Sequence, residues 1–286
     1  MEVKKLTLQQ NAYPSRLREI AGPPNELYYI GTDPSEWLTR PRVAIVGSRH
    51  VSPYGQQVTA QLARELAEKG VVIISGLALG VDGIAHQACL DAGGTTVAVL
   101  AGGVDKLQPA TNEHIGRRLL KQGGTVLSEY PVGTTPYPSN FIARNRIVAG
   151  LADALLITEA AERSGTLHTA RFAMEQGRDV FAVPGNITSP GSAGTNNLIK
   201  SGAMAVTSVD DILFALGLEL AGSTGKHRGA NADEQALINL LEQGITDGHE
   251  LLAQTQLAPA LFSQTLTMLE IGGKIRALGS NHWALK

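Results

Sequence analysis

The chain of 286 residues is 43% hydrophobic and 17% charged, with a formal net charge of −2 at pH 7. That length allows one sizeable core and a small second domain, and the charge excludes a protein coated in basic surface while leaving room for a local basic stripe that holds nucleic acid. No apolar run approaches the ~20 residues of a membrane span, MEVKKLTLQQ carries no signal core, and the one cysteine, Cys89, rules out an internal disulfide or a cysteine-based metal site, so a reducing cytoplasm is expected, with no membrane partner.

Residues 1–40 form a lead-in too short for an independent domain and are expected to pack on the core that follows. From residue 41 to residue 220, short apolar runs alternate with amphipathic stretches. VAIV (43–46) precedes a helix with Val58, Leu62 and Leu66 on one face, and VVIIS (71–75) precedes a helix from Val81 to Ala92. TTVAVL (95–100) leads to a helix near Asn112–Gln122, and TVLS (125–128) to a Pro-rich loop, YPVGTTPYPSN. ALLIT (154–158) leads to a helix around Thr166–Gln176, DVFAV (179–183) ends in Pro-Gly, and a helix around Asn196–Lys200, AMAVTS and VDDILFALG complete the segment. Strands separated by helical patterns, with near-continuous apolar strands, predict an α/β fold: a Rossmann-like, doubly wound, mainly parallel sheet.

Residues 221–231, AGSTGKHRGAN, are polar and Gly-rich and read as a linker. Residues 232–286 pattern as three helices and two short strands, a small winged-helix-like C-terminal domain of net charge −3 that leaves the rest at +1. Its third helix carries no Lys or Arg, which a duplex-reading helix would need, so a protein-contact or regulatory role is expected for it.

Several strands end in small residues: GSRH (47–50), SGLALGVDGIAH (75–86), AGGVDK (101–106), TEAAERSGTLHTA (158–170) and PGN (184–186). Ligands of open α/β sheets bind at the carboxyl ends of the strands, where glycine permits close approach and helix N-termini favour anions. Glycine as simple turn-former explains two or three of these ends, but not the company of Ser48, Arg49, Ser75 and Ser164. GxxxxGK[ST] and GxGxxG are both missing, which disfavours a P-loop ATPase and a dinucleotide cofactor; no cofactor is expected. Asp82 and His86 share one helix face, either as an acid/base pair or, in the favoured reading, as a structural hydrogen bond that pins a loop. Glu159 and Glu162 near Ser164 could serve chemistry, but nothing in their spacing requires it.

GSR after the first strand, SGLALGVDGIAH, LAGGVD, SNFIARNRIVAGLADALLITEA, SGTLHTARFAMEQGRDVFAVPG and GTNNLIKSGA occur in an order that resembles the DNA-processing protein family DprA, also called Smf. The resemblance runs from about Tyr13 to Gly217 and continues into the tail at LEIGGKI and NHWAL. Many family members carry a further helical domain ahead of the lead-in, and this chain is expected to be a short form without it. The resemblance implies a dimeric, non-enzymatic, single-stranded-DNA-binding protein of natural transformation that protects incoming strands and helps load the recombinase RecA. It also implies that Arg49 and the FxxRNR element, here Phe141, Arg144, Asn145 and Arg146, line a basic pocket for single-stranded DNA. Arginine forks suit phosphate and an aromatic ring stacks on an unpaired base, although Phe141 could equally pack on Ile147, and one arginine could instead pair with Glu159 or Asp153.

The expected rim comprises Gly47, Ser48 and Arg49; Ser75, Gly76, Leu77, Ala78, Gly80, Asp82 and His86; Gly102 and Gly103; Asn140, Phe141, Arg144, Asn145 and Arg146; and Glu159, Ser164, Gly165 and Thr166. Lys106, Arg163 and Lys200 are further rim candidates. The enzymatic rival is a LOG-like nucleotide phosphoribohydrolase, whose PGGxGTxxE pattern is matched here only at Gly165-Thr166, with Thr169 in the glutamate's place. A nucleotide-sensing module on the same fold is the third reading.

Overall fold

A computed structural model describes residues 2–218, 229–279 and 281–285, which fall into two compact units, 1–217 and 218–286. Most of the expected linker 221–231 lies outside the described residues.

The first unit runs β1 (Lys4–Thr7), α1 (Ser15–Arg18), β2 (Glu26–Gly31), β3 (Arg42–Val46), α2 (Pro53–Glu68), β4 (Val72–Ser75), α3 (Val81–Asp91), β5 (Thr96–Val99), α4 (Glu113–Lys121), β6 (Thr125–Ser128), α5 (Pro138–Leu151), β7 (Ala154–Ile157), α6 (Thr166–Glu175), β8 (Asp179–Ala182), α7 (Ala193–Lys200), β9 (Met204–Ala205) and α8 (Val209–Ala215). One nine-stranded sheet has the order β1-β2-β6-β5-β4-β3-β7-β8-β9. All pairings from β6 to β9 are parallel, while β1–β2 and β2–β6 are antiparallel. The lead-in therefore does more than pack on the sheet: it extends it by two hydrogen-bonded strands, and it also places Tyr13, Leu17, Ile20 and Trp37 in the core.

β3, β4, β5 and β7 are buried at every residue, because helices cover both faces of a parallel sheet. One apolar layer joins the lead-in to α5 and α6 through residues such as Leu17, Val148 and Ala170, and an opposite layer joins Leu90, Ile115 and Leu119. On α2 the buried stripe is Gly55, Thr59, Leu62, Ala63 and Leu66, and Val58 is only half-buried, so the expected face is turned slightly. α5 begins at Pro138 and takes in the last residues of the expected Pro-rich loop, since proline suits the first helical position, where its missing N–H is no loss.

The chain winds from β3 out to β6, returns, and then winds the other way through β7 to β9. β3 and β7 are the neighbours at which that direction reverses, and such a switch point opens a crevice beyond the strands' carboxyl ends.

The second unit comprises α9 (Ala232–Glu242), α10 (Gly248–Thr255), α11 (Pro259–Ile271) and the antiparallel pair β10 (Ile275–Gly279) and β11 (His282–Leu285). Asn231 caps α9 by accepting from the Glu234 N–H at 2.9 Å, and Asp247 caps α10. Leu237, Ile238, Leu251, Leu266, Leu269 and Ile275 form its own core. Among the described residues, no helix is long and apolar enough to cross a membrane.

Candidate nucleic-acid interface

A groove of about 380 Å³ lies at the switch point. It is walled by Gly47, Ser48, Arg49 and His50 after β3, by Ala78 and Asp82 at the start of α3, by Phe141, Ile142, Arg144 and Asn145 of α5, and by Ala161, Ser164, Gly165, Thr166 and Thr169. A smaller recess adjoins it, sharing Ala78, Phe141 and Arg144 and adding Gly76, Gly102, Gly103 and Lys106. Most of the expected rim thus converges, although its members come from five separate parts of the sequence.

The walls are tied together. Ser48 N–H donates to the Glu159 carbonyl at 2.8 Å, Val81 N–H to the Ser48 carbonyl at 3.1 Å, and Thr166 Oγ1 to the Gly47 carbonyl at 2.9 Å. Gly80 is required at its corner: its φ is +78°, and a Cβ there would run into the Ser48 carbonyl. Leu77, with φ +57° and a fully buried side chain, holds the strained point of the same loop. Asp82 fixes that loop by accepting from the N–H groups of Gly76 at 3.0 Å and Ala78 at 3.4 Å.

The two arginines of the FxxRNR element are both engaged by partners within the fold. Arg144 is only 4% exposed and donates through Nη1 to the carbonyls of Gly76, at 2.8 Å, and Val99. Gly76 has to be glycine for this: a Cβ would sit 2.5 Å from the guanidinium. Burial pulls the Arg144 pKa down, opposed by the Asp82 carboxylate, while burial pushes the Asp82 carboxyl up, opposed by Arg144 and by the two N–H donors. Arg146 forks onto Glu129 at 2.6 and 2.8 Å, not onto Glu159 or Asp153, and Asp153 instead binds Arg42 at 2.8 Å and Arg16 at 3.0 Å.

The exposed guanidinium of the groove is Arg49, which lies over the Phe141 ring at 5.4 Å from its centroid. Phe141 is half-buried at the rim, so packing against Ile147, which is wholly inside, does not describe it. Asn145 stands one turn along α5 on the same wall. Ser164 Oγ accepts from the Thr166 N–H at 3.2 Å where α6 begins, so the start of that ten-residue helix faces the groove.

Other expected residues stand behind the walls. Ser75 Oγ donates to the Ile45 carbonyl at 2.6 Å, inside the sheet. His86 is fully buried and bonds Thr96 Oγ1 at 2.7 Å rather than Asp82, and burial, with Arg144 nearby, lowers its pKa to about 3. Thr96 donates onward to the Ile73 carbonyl, so His86 Nδ1 carries the proton and Nε2 is a buried acceptor without a partner. Asn140 Nδ2 donates to the Ala101 carbonyl at 3.1 Å. Glu159 is buried and accepts from Ser52 N–H at 3.1 Å and from Ser52 Oγ, anchoring the start of α2. Cys89 is likewise interior, its thiol pushed up to about 12 by burial.

His50, Ile142, Ala161 and Glu129 were not singled out from the sequence, and Thr169 was named only for the phosphoribohydrolase comparison. The proline opening α5 was the available signal: a helix from Pro138 puts residues 141, 142 and 145 on neighbouring positions of one wall.

Residues 4–217 match the family described as DNA recombination-mediator protein A, and residues 221–281 match the DprA winged helix domain. Protein Smf of Escherichia coli is 44% identical over 201 residues, which is 70% of this chain and 53% of that protein, so the chain spans about half of that relative's length. The putative DNA processing protein DprA of Mycobacterium tuberculosis is 39% identical over 266 residues, 91% of this chain and 68% of that one. Among solved structures, DNA processing protein A of Streptococcus pneumoniae superposes with a TM-score of 0.69 at 40% identity, covering 75% of this chain and 74% of that one. DNA processing protein A of Helicobacter pylori, a structure that bears on that protein's single-stranded DNA binding mode, superposes with a TM-score of 0.68 at 34% identity, covering 76% and 96%. With residues 4–217, which hold the sheet and its switch-point groove, and residues 221–281 matched in order, the chain belongs to the DNA recombination-mediator protein A family, DprA or Smf.

Proposed function

We propose that the protein binds single-stranded DNA in the switch-point groove, through backbone contacts and one stacked base, and acts by holding the strand rather than by turning over a substrate. The observation that carries this reading is the pairing of Arg49 with Phe141 at the mouth of an open groove that also faces the start of α6. A guanidinium on an aromatic face offers a phosphate fork and a stacking surface side by side, and neither reads base identity. Arg144 and Asp82 act from behind, fixing the loop that forms the floor. Family membership supports the same reading, as does the single-strand binding described for the Helicobacter pylori relative. The family resemblance extends the proposal to a cytoplasmic homodimer that protects incoming strands in transformation and hands them to RecA.

The phosphoribohydrolase reading gains no observation. Thr169 is buried where that chemistry places a glutamate, and the nearby carboxylates of Asp82 and Glu159 are both engaged in holding their own chain.

Fluorescence anisotropy with labelled oligo-dT over a salt series, against a duplex of equal length, tests the proposal. The single strand should bind more tightly, and Arg49→Ala should weaken it and flatten the log–log salt slope by about 1. Equal affinity for duplex, or indifference to Arg49→Ala, overturns the site. Strong displacement of the strand by a mononucleotide would favour the sensing module.

A further inference from the structure

We propose a second base-stacking subsite beyond the carboxyl end of β8, centred on Tyr54 and Pro184, where the same strand rests another nucleobase; this rests on the single-strand reading above. A recess of about 500 Å³ opens there, lined by Ser52, Tyr54, Pro184, Asn186, Ser189 and Ser192.

The chemistry of the lining selects its occupant. None of these side chains carries charge, so the recess offers a phosphate neutral donors only and no ionic partner. Hydroxyls and an amide around an aromatic ring instead suit the flat face and polar edges of a base. The Tyr54 hydroxyl donates to the Pro184 carbonyl at 2.9 Å. Its polar end is therefore already satisfied, and a residue that is still 48% exposed presents ring carbon to solvent. Ile187, 92% exposed three residues after Pro184, adds further apolar surface.

The shelf is built before any ligand arrives. Asn196 holds Gly185 on both sides, accepting from its N–H at 3.2 Å and donating to its carbonyl at 3.0 Å. Asn186 Oδ1 accepts from both Thr188 N–H and Thr188 Oγ1 at 2.9 Å, fixing the turn that carries Ile187. A surface held in this way gives up little freedom on binding.

Position links the recess to the groove. Ser52 lines the recess only two residues after His50, which lines the groove. β3, β7 and β8 are consecutive neighbours, so the strands that carry the two sites are about 10 Å apart in one sheet. The buried Glu159 carboxylate accepts from the Ser52 N–H and so holds the segment that joins the two linings.

Anisotropy with oligo-dT of about 12 nucleotides, and with an abasic strand of the same length, reads the subsite. Tyr54→Ala should lower oligo-dT affinity roughly tenfold, leave the salt slope unchanged and leave the abasic strand unaffected. Tyr54→Phe keeps the ring and should restore the affinity. Ile187→Ser, at a position outside the core, should give a smaller loss in the same direction. Wild-type affinity in Tyr54→Ala, a Tyr54→Phe loss as large as that of Tyr54→Ala, or a flattened salt slope would overturn the subsite while leaving the groove intact. If the wild-type protein itself fails to prefer the single strand to duplex, the groove reading falls first and takes the subsite with it.

Discussion

Arg144 and Arg49 are both arginines beside one groove, yet they do different work, and burial is what separates them. Arg144 is enclosed with two carbonyl acceptors and the Asp82 carboxylate for company, whereas Arg49 lies exposed on an aromatic ring. Removing Arg144 takes the nearby cation from buried Asp82 and the donor from two buried carbonyls, so Arg144→Ala should cost about 3–5 kcal/mol of stability. Arg49→Ala removes only surface contacts and should cost no more than about 0.5 kcal/mol. Urea denaturation of the two variants measures the difference. If Arg144→Ala proves neutral, the strut role is wrong and a direct phosphate contact becomes the better description.

His86 makes a second residue-scale prediction. The folded protein keeps it neutral down to about 3, whereas an unfolded chain protonates it near the ordinary 6.5. Between those values the unfolded state binds the extra proton. The stability that His86 contributes is therefore complete above about pH 6.5 and falls by about 1.4 kcal/mol for each pH unit below it. Denaturation at about pH 7, 6 and 5 should show this fall in the wild type and its absence in His86→Leu. Parallel pH profiles for the two proteins would mean that His86 titrates normally in the fold.

At the scale of elements, the groove depends on where helices begin. α2 is capped by Ser52, whose hydroxyl accepts from the Gly55 N–H at 3.1 Å and donates to Glu159, so one side chain caps the helix and satisfies a buried carboxylate. Ser52→Ala loses both contacts and should destabilise by about 1–3 kcal/mol, more than an ordinary cap. Ser52→Thr, which keeps the hydroxyl, should recover most of that. Thermal melting distinguishes the two substitutions, and equal loss in both would point to packing rather than to the hydroxyl.

For the whole molecule, the division of labour follows charge. Residues 232–286 carry net −3, and α11, the third helix of the second unit, has neither Lys nor Arg. A chain ending at Gly217 should therefore bind oligo-dT within about twofold of the intact protein, because the proposed phosphate contacts all lie in the first unit. Titration of both forms at one salt concentration checks this. A large loss on truncation would assign part of the nucleic-acid surface to the second unit.

The sequence by itself determined the fold class. Apolar strands, amphipathic helices and strand-end glycines recur in an order that a doubly wound parallel sheet buries, and the three-helix, two-strand tail was equally legible because each element is a local pattern. The collinear motifs also brought Gly47, Arg49, Phe141 and Thr166 onto one list before any geometry was known. What the sequence did not decide is which members of that list face the groove. Arg144, Arg146, Asp82, His86 and Glu159 all looked like site residues, and each is engaged by a partner within the fold, the Val99 carbonyl, Glu129, the Gly76 N–H, Thr96 or Ser52, although Arg144 and Asp82 also line the groove. A charged side chain reads the same in a sequence whether it meets a phosphate or a buried backbone carbonyl. Only the packing of sheet, loops and α5 sets the local dielectric and the available partners, and these decide whether a guanidinium becomes a strut or a binding group.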